Sequence, residues 1–265
     1  KAFLVVNFST REQAYSFLEN CKESSFAIEE IETKDLVRTP APPFTTSALQ
    51  QEAARKLGLS VTQTMRIAQK LYESGLITYM RTDSTNLSQL AINSAKQTIC
   101  TKFGEEYSKV RAYKTKSKGA QEAHEAIRPT YLANDTIEGT PQEKKLYNLI
   151  WKRTIASQMA DAKLEKTTIT IGSNFFAEKF VSQGEQVVFD GFLKLYLESK
   201  DEEDTEQENQ LLPVLNTGET MERIEISATE RFTQKPARYS EASLVKKLEE
   251  LGIGRPSTYA PTIST

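Results

Sequence analysis

The sequence predicts an α+β, multidomain protein in which a helical block interrupts strand-rich chain. Three observations carry that prediction. Runs of β-branched and aromatic residues cluster at 2–8 and 26–31, and again between 167 and 228. Between them lie four segments with apolar residues at helical spacing, each preceded by a capping residue or opened by a proline. The rigid stretch Thr39-Pro-Ala-Pro-Pro43 separates the first strand region from the first of these helices and is the best first boundary.

Taken in order, residues 2–8 (AFLVVNF) read as a strand, and Thr10 with Gln13 three places on forms a capping-box signature for a helix over 11–22. Phe26, Ile28 and Ile31 mark further extended chain, and nothing in this first region carries chemistry. After the prolines, Thr45 or Thr46 caps a helix over 47–57, and the turn Leu57-Gly-Leu-Ser60 leads into a second over 61–73. Two short helices, a glycine-containing turn and an extended segment resemble a winged helix-turn-helix. Its recognition face (Thr62, Gln63, Arg66, Gln69) is modest, so the module reads as a scaffold that presents Tyr79. Ser88 caps a helix over 89–103, and Pro141 opens a long one over 142–161 with a core stripe of Leu146, Leu149, Ile150, Ile155 and Met159. Strands are expected at 167–171, 175–181, 187–196 and 221–228. A last helix runs from Ser240 to Gly252.

Composition bounds the class. The 265 residues are 38% hydrophobic and 26% charged, an ordinary globular balance with length for two or more domains. No apolar run approaches the ~20 residues of a membrane span and no signal peptide is visible. Cys21 and Cys100 are isolated, as expected of reduced thiols in a cytoplasmic protein. The chain begins at Lys1, as expected of a piece of a longer protein. The net charge of −2 hides an asymmetry. Residues 198–208 (ESKDEEDTEQE) hold seven acids and one lysine, a surface connector with a charge of −6 that leaves +4 on the remainder. A local basic surface is therefore compatible with the acidic pI. Lys109, Arg111, Lys114, Lys116 and Lys118, with Tyr113 among them, form the densest basic run.

The candidate chemistry centres on Gly75–Ser84 (GLITYMRTDS). Side chains alternate in extended chain, so Tyr79, Arg81 and Asp83 share one side. A phenol can attack phosphorus, but with an ordinary pKa near 10 only about one in a thousand is ionised at pH 7. A fixed guanidinium such as Arg81 lowers that handicap and can grip two phosphate oxygens. Asp83 can orient the guanidinium or take part in proton traffic. His124 is the only histidine; were Glu122–Ile127 helical, it would share a face with Arg128. Near the end, Gly254-Arg-Pro-Ser-Thr-Tyr259 places Arg255, Ser257 and Thr258 on a loop suited to phosphate contact. By spacing alone Tyr-x-Arg is a weak motif.

Three blocks together are more specific. GLITYMRTDS at 75–84, EAHEAIRPT at 122–130 and EELGIGRPSTYA at 249–260 resemble, in order and rough spacing, the signatures of type IA DNA topoisomerases. Met80 between Tyr79 and Arg81 is similar to the bacterial topoisomerase I branch. The resemblance covers essentially the whole chain. It implies Tyr79 as nucleophile with Arg81 and His124 as its catalytic partners. Asp83, Arg128, Arg255, Ser257 and Thr258 become candidate DNA contacts. It implies single-stranded or negatively supercoiled DNA as substrate, a 5′-phosphotyrosine intermediate and a cytoplasmic, nucleoid-associated site of action. It also implies a β-rich arch made of 1–40 and 166–230, a helical tyrosine domain over 41–165, and part of a single-strand-binding domain over 231–265. Family members bind Mg²⁺ through a glutamate and a D-x-D cluster in an N-terminal Toprim domain; no such cluster occurs here, and 201–206 (DEEDTE) does not resemble it. The expectation is a central fragment with its nucleophile but without its metal ligands, inactive in relaxation by itself. The competing readings are a non-enzymatic winged-helix DNA-binding protein and a tyrosine recombinase, which forms a 3′-phosphoryl link.

Overall fold

The computed structural model describes residues 1–113, 124–197 and 212–264. The chain divides into two compact units, each assembled from separated stretches. The acidic connector expected at 198–210 and the lysines at 114, 116 and 118 lie outside the described residues.

The first unit comprises Lys1–Val37, Lys163–Phe189 and the described part of 200–236. Its sheet has the order β1-β4-β3-β2-β5, with β1 at Phe3–Leu4, β2 at Phe26–Arg38, β3 at Ala162–Ser173, β4 at Phe180–Phe189 and β5 at Thr220–Met221. β3 and β4 form an antiparallel hairpin in which Thr167 faces Gly184 and Ile171 faces Phe180. Helix α1 (Arg11–Lys22) starts where the capping signature places it. The Thr10 hydroxyl accepts the Gln13 N–H, while the Gln13 side chain accepts from the N–H of Ser9. The helix sets Phe17 and Cys21 against Phe26, Ile28, Ile169 and Ile171 of the sheet. Each such buried side chain contributes about 1.5–3 kcal/mol relative to exposure. Expected strands are trimmed here: residues 5–8 leave the sheet after β1, and 175–179 form the connection between β3 and β4. β5 is only Thr220–Met221, so a single residue of the stretch expected at 221–228 lies in the sheet.

The second unit comprises Arg38–Ala162, Asp190–Ser199 and Ala237–Thr265. It holds α2 (Thr46–Leu57), α3 (Val61–Glu73), α4 (Gln89–Lys102), α5 (Pro141–Ser157), α6 (Glu241–Glu250) and α7 (Tyr259–Ser264). Thr45, Ser60, Ser88, Thr140 and Ser240 cap the first five, three of them with the reciprocal capping box. Gly58, at φ +64°, closes α2, and Gly75, at φ +70°, ends the turn after α3. Val61, Thr64, Ile67, Ala68 and Leu71 bury one side of α3. α2 packs on α3, α5 and α6, and α3 packs on α5 and α7. Trp151 is buried, as a core residue, with its indole N–H donating to the Leu132 carbonyl at 2.8 Å.

Three boundaries differ from expectation, each because distant partners override local pattern. α5 stops at Ser157, and Met159 and Ala160 instead pair with Ser108 and Tyr107. Residues 187–196 are not one strand. β4 ends at Phe189 and 191–194 make a 3₁₀ turn that belongs to the helical unit. There the Tyr196 hydroxyl donates to Glu52 Oε2 at 2.6 Å, and Lys56 donates to the Leu197 carbonyl. Similarly, 237–264 do not stand apart as a segment of their own. Ser47 donates to Glu249 at 2.7 Å, Glu241 accepts the Val61 N–H at 2.7 Å, and Val245 and Tyr259 pack on Val61.

Candidate active site

The signature residues sit on an irregular extended strip between α3 and α4, held at two levels. At the first level, Leu76–Thr78 pairs with Arg128–Thr130: the Thr78 N–H donates to the Arg128 carbonyl at 2.8 Å and the Thr130 N–H to the Leu76 carbonyl at 3.0 Å. The Thr78 hydroxyl reaches the Ala126 carbonyl at 2.7 Å and accepts the Arg128 N–H at 2.9 Å. At the second level, Thr46 anchors the far side. Its N–H donates to the Thr82 carbonyl, and its hydroxyl lies 2.8 Å from the Met80 carbonyl and accepts the Thr82 N–H at 2.9 Å. Buried backbone groups must find partners, so these bonds define where the strip lies.

This anchoring imposes a strict alternation. Met80, Thr82 and Ser84 are buried, while Tyr79 and Arg81 are exposed and Asp83 is half-exposed. The Tyr79 ring meets the ring of Tyr72, at the end of α3, edge-to-face with centroids 5.2 Å apart. The guanidinium-bearing Arg81 lines a cleft with Met65 of α3 and with Pro256 and Ser257 of the GRPST loop. Asp83 and Arg255 both act on the phenol of Tyr259, which is pushed up by burial first, then by Glu249 and Asp83, with Arg255 opposing. The strip at 79–83 and the loop at 255–257 therefore meet, although more than 170 residues separate them. Arg255 and Ser257 are exposed there, whereas the Thr258 hydroxyl is engaged locally, accepting the Arg255 N–H at 2.8 Å and capping the turn into α7.

The conditional helix at 122–127 is corrected over its described part. Residues 124–130 are extended, with Ile127 paired to Phe44 and Pro129 to Ile77. These pairings satisfy the backbone better than a single turn of helix stopped by Pro129 would. His124 is exposed. Arg128 is turned inward: it donates to Glu125 Oε2 at 2.6 Å and to the Pro129 carbonyl at 2.9 Å. Glu125 also accepts the Ser88 N–H at 2.6 Å. Burial raises the Glu125 carboxyl, but the bonds from Arg128 and Ser88 outweigh it and hold the group below its ordinary range. The Arg128 side chain thus braces the histidine loop internally, through Glu125 and the Pro129 carbonyl.

Sequence reasoning missed the roles of Thr46, Thr78 and Tyr72, whereas Glu125, expected to be solvated or ion-paired, is paired with Arg128. Thr46 stands beside the cap Thr45 and looks interchangeable with it; only its partner 36 residues away separates the two. Tyr72 had a local signal, one helical turn before Gly75. Among the described residues no three His, Cys, Asp or Glu side chains come together as metal ligands. Cys21 and Cys100 are both free thiols. Among the described residues no helix is long and apolar enough to cross a membrane.

A family model described as DNA topoisomerase matches residues 3–265. The prokaryotic-type DNA topoisomerase 1 of Acanthamoeba polyphaga mimivirus is 48% identical over 99% of this chain and 32% of its own length. DNA topoisomerase 1 of Rickettsia bellii is 50% identical over 95% of this chain and 33% of its own. The structure of full-length topoisomerase I from Thermotoga maritima superposes with a TM-score of 0.83 at 38% identity, covering 99% of this chain and 44% of that one. The chain thus spans about a third of the length of these curated relatives. On the match across nearly every residue, the chain belongs to the DNA topoisomerase family, in its bacterial type IA branch.

Proposed function

We propose that this chain carries the nucleophile half of a DNA strand-passing isomerase acting on single-stranded regions of negatively supercoiled DNA in the cytoplasmic nucleoid. The Tyr79 oxygen attacks a backbone phosphorus and loses its proton as the P–O3′ bond breaks. The 3′ oxygen leaves and gains a proton, and the 5′ end remains as a phosphotyrosine ester. The ester keeps the phosphodiester's reactivity, so the reverse attack by the 3′ hydroxyl reseals the strand without external energy. Arg81 holds the phosphate oxygens and stabilises the charge that develops on them. His124 binds a phosphate oxygen or relays the proton. Arg255 and Ser257 hold neighbouring phosphates, with Asp83 orienting the cations beside it.

The observation that supports this reading is the register of the strip. Met80, Thr82 and Ser84 are locked inward, which turns the phenol and the guanidinium outward together. Magnesium chemistry is the family's expectation. None of the steps above runs through that ion.

The test is a chimera in which these 265 residues replace the matching region of the R. bellii topoisomerase. Trapped mid-turnover and digested, it should yield its nucleotide-bearing peptide from Tyr79; the label on any other residue sinks the proposal. Tyr79→Phe should leave no covalent adduct while DNA binding persists. Arg81→Ala should slow cleavage by about 10². The 265 residues alone should not relax supercoiled DNA on a gel.

A further inference from the structure

α3 buries one face, and its opposite face was the weak recognition surface of the helix-turn-helix reading. The structure gives that face another neighbour. Thr62 and Met65, one turn apart on α3, form a wall of the cleft that Arg81 closes on one side and Pro256, Ser257 and Pro261 on another. Its volume is about 240 Å³. That is far more than one water needs and far less than a duplex would fill. Most of its lining is apolar, from a thioether and two proline rings, with polar groups only from Arg81, Ser257 and Thr62. Such a surface is a poor seat for a phosphate and a good one for the flat face of a heterocycle. A sulfur packs favourably against an aromatic ring, and proline rings offer flat apolar contact. The cationic residue on its wall lies two positions from Tyr79 and exposed on the same side of the strip.

Resting on the function proposed above, we infer that this cleft is a subsite for one unpaired nucleobase, belonging to the nucleotide whose phosphate Arg81 grips. Inserting that base turns the adjoining phosphodiester toward Tyr79. The cleft then favours single-stranded over paired DNA, because a base held in a duplex cannot enter it. Shape and π-face contact, which every base offers, set its preference.

The experiment uses the 265-residue chain with its four methionine methyls carbon-13 labelled, titrated with the single strand (dT)₅ and with an abasic pentamer of equal charge. Met80 and Met159 are buried, and Met221 lies in the sheet unit, so the Met65 signal reports the cleft and the others serve as controls. With (dT)₅ the Met65 methyl should shift while Met221 stays still; the abasic strand should leave Met65 in place. Met65→Ala should weaken (dT)₅ binding about two- to tenfold, the range of a sulfur–aromatic contact, without changing abasic binding. A variant that had merely unfolded would lose both. Binding of (dT)₅ with Met65 unmoved, or equal shifts with both strands, overturns the subsite and leaves the proposed function standing. No binding of either strand likewise overturns the subsite, while the proposed function falls only if the chimera's adduct peptide lacks Tyr79.

Discussion

The two units of this protein are built from different interiors. The sheet unit is held by an apolar cluster of Phe17, Cys21, Phe26, Ile28, Ile169 and Ile171. Of the buried polar side chains among the described residues, only Ser182 lies there; Thr46, Gln50, Glu52, Thr82, Ser84, Arg153 and the rest belong to the helical unit. An apolar core tolerates small shifts, because dispersion and burial are nondirectional. Buried polar groups do not, because each must meet a partner at fixed distance and angle. In the unit that carries the candidate nucleophile, Thr46 meets that requirement and fixes the backbone at Met80 and Thr82, whereas the buried Gln50 amide has no hydrogen-bond partner among the described residues.

That contrast can be broken from either side. The largest effect is expected at Glu52, which is buried, accepts from Tyr196 and lies 3.6 Å from Lys56. Glu52→Ala should destabilise the helical unit by about 3 kcal/mol, since it strands buried partners. Amide exchange should quicken in α2 and α5 and remain unchanged in β3 and β4; equal quickening everywhere would erase the distinction. Next comes Thr46→Val, which keeps the shape and removes the hydroxyl that holds Met80 and Thr82. It should cost about 1–3 kcal/mol. Cleavage by the chimera should also fall more than the stability loss explains, read as a lowered turnover at conditions where the variant is fully folded. Ile28→Val in the sheet unit should cost about 1 kcal/mol and leave turnover untouched. A turnover defect there would show that the sheet interior also positions the site.

The smallest effect is a pH dependence. Glu125 is held below its ordinary carboxylate value of 4.5 by Arg128 and Ser88, against the opposing effect of burial. A depressed folded-state value means that its stabilisation is present above the ordinary value and disappears as pH falls through the lower, folded one. Acid should therefore release the loop bearing His124 in the range below about pH 4.5. Glu125→Gln should flatten that part of the acid limb of stability. An acid limb of unchanged slope in the variant would assign the dependence to other carboxylates, Asp161 with its Arg111 and Lys109 partners first among them.

How much of the fold and site is legible in the sequence differs by kind of interaction. Helix starts are readable because a cap is a bond between residues three apart: Thr10 to Gln13 and Ser88 to Ala91 both form as the sequence suggests. The alternation across Tyr79–Ser84 is readable for a similar reason, since pleating comes from backbone geometry in any extended run. The loop around His124 is not, because its local pattern is consistent with one helical turn. The partners that keep it extended, Phe44 and Thr78, stand about 50 or more residues away. Strand length from 187 to 196 fails likewise, since Tyr196 and Leu197 are claimed by Glu52 and Lys56 of the helical unit.

By itself, then, the sequence determined the periodic elements, their caps and the side of the strip on which Tyr79 and Arg81 lie, because those depend on neighbours within a turn or a pleat. Only the tertiary structure decided that Arg128 faces inward, that Thr46 rather than its neighbour anchors the strip, and that Met65, Arg81 and Pro256 enclose one cleft. Those outcomes rest on contacts between residues far apart in the chain, whose formation depends on which buried polar groups can be satisfied together.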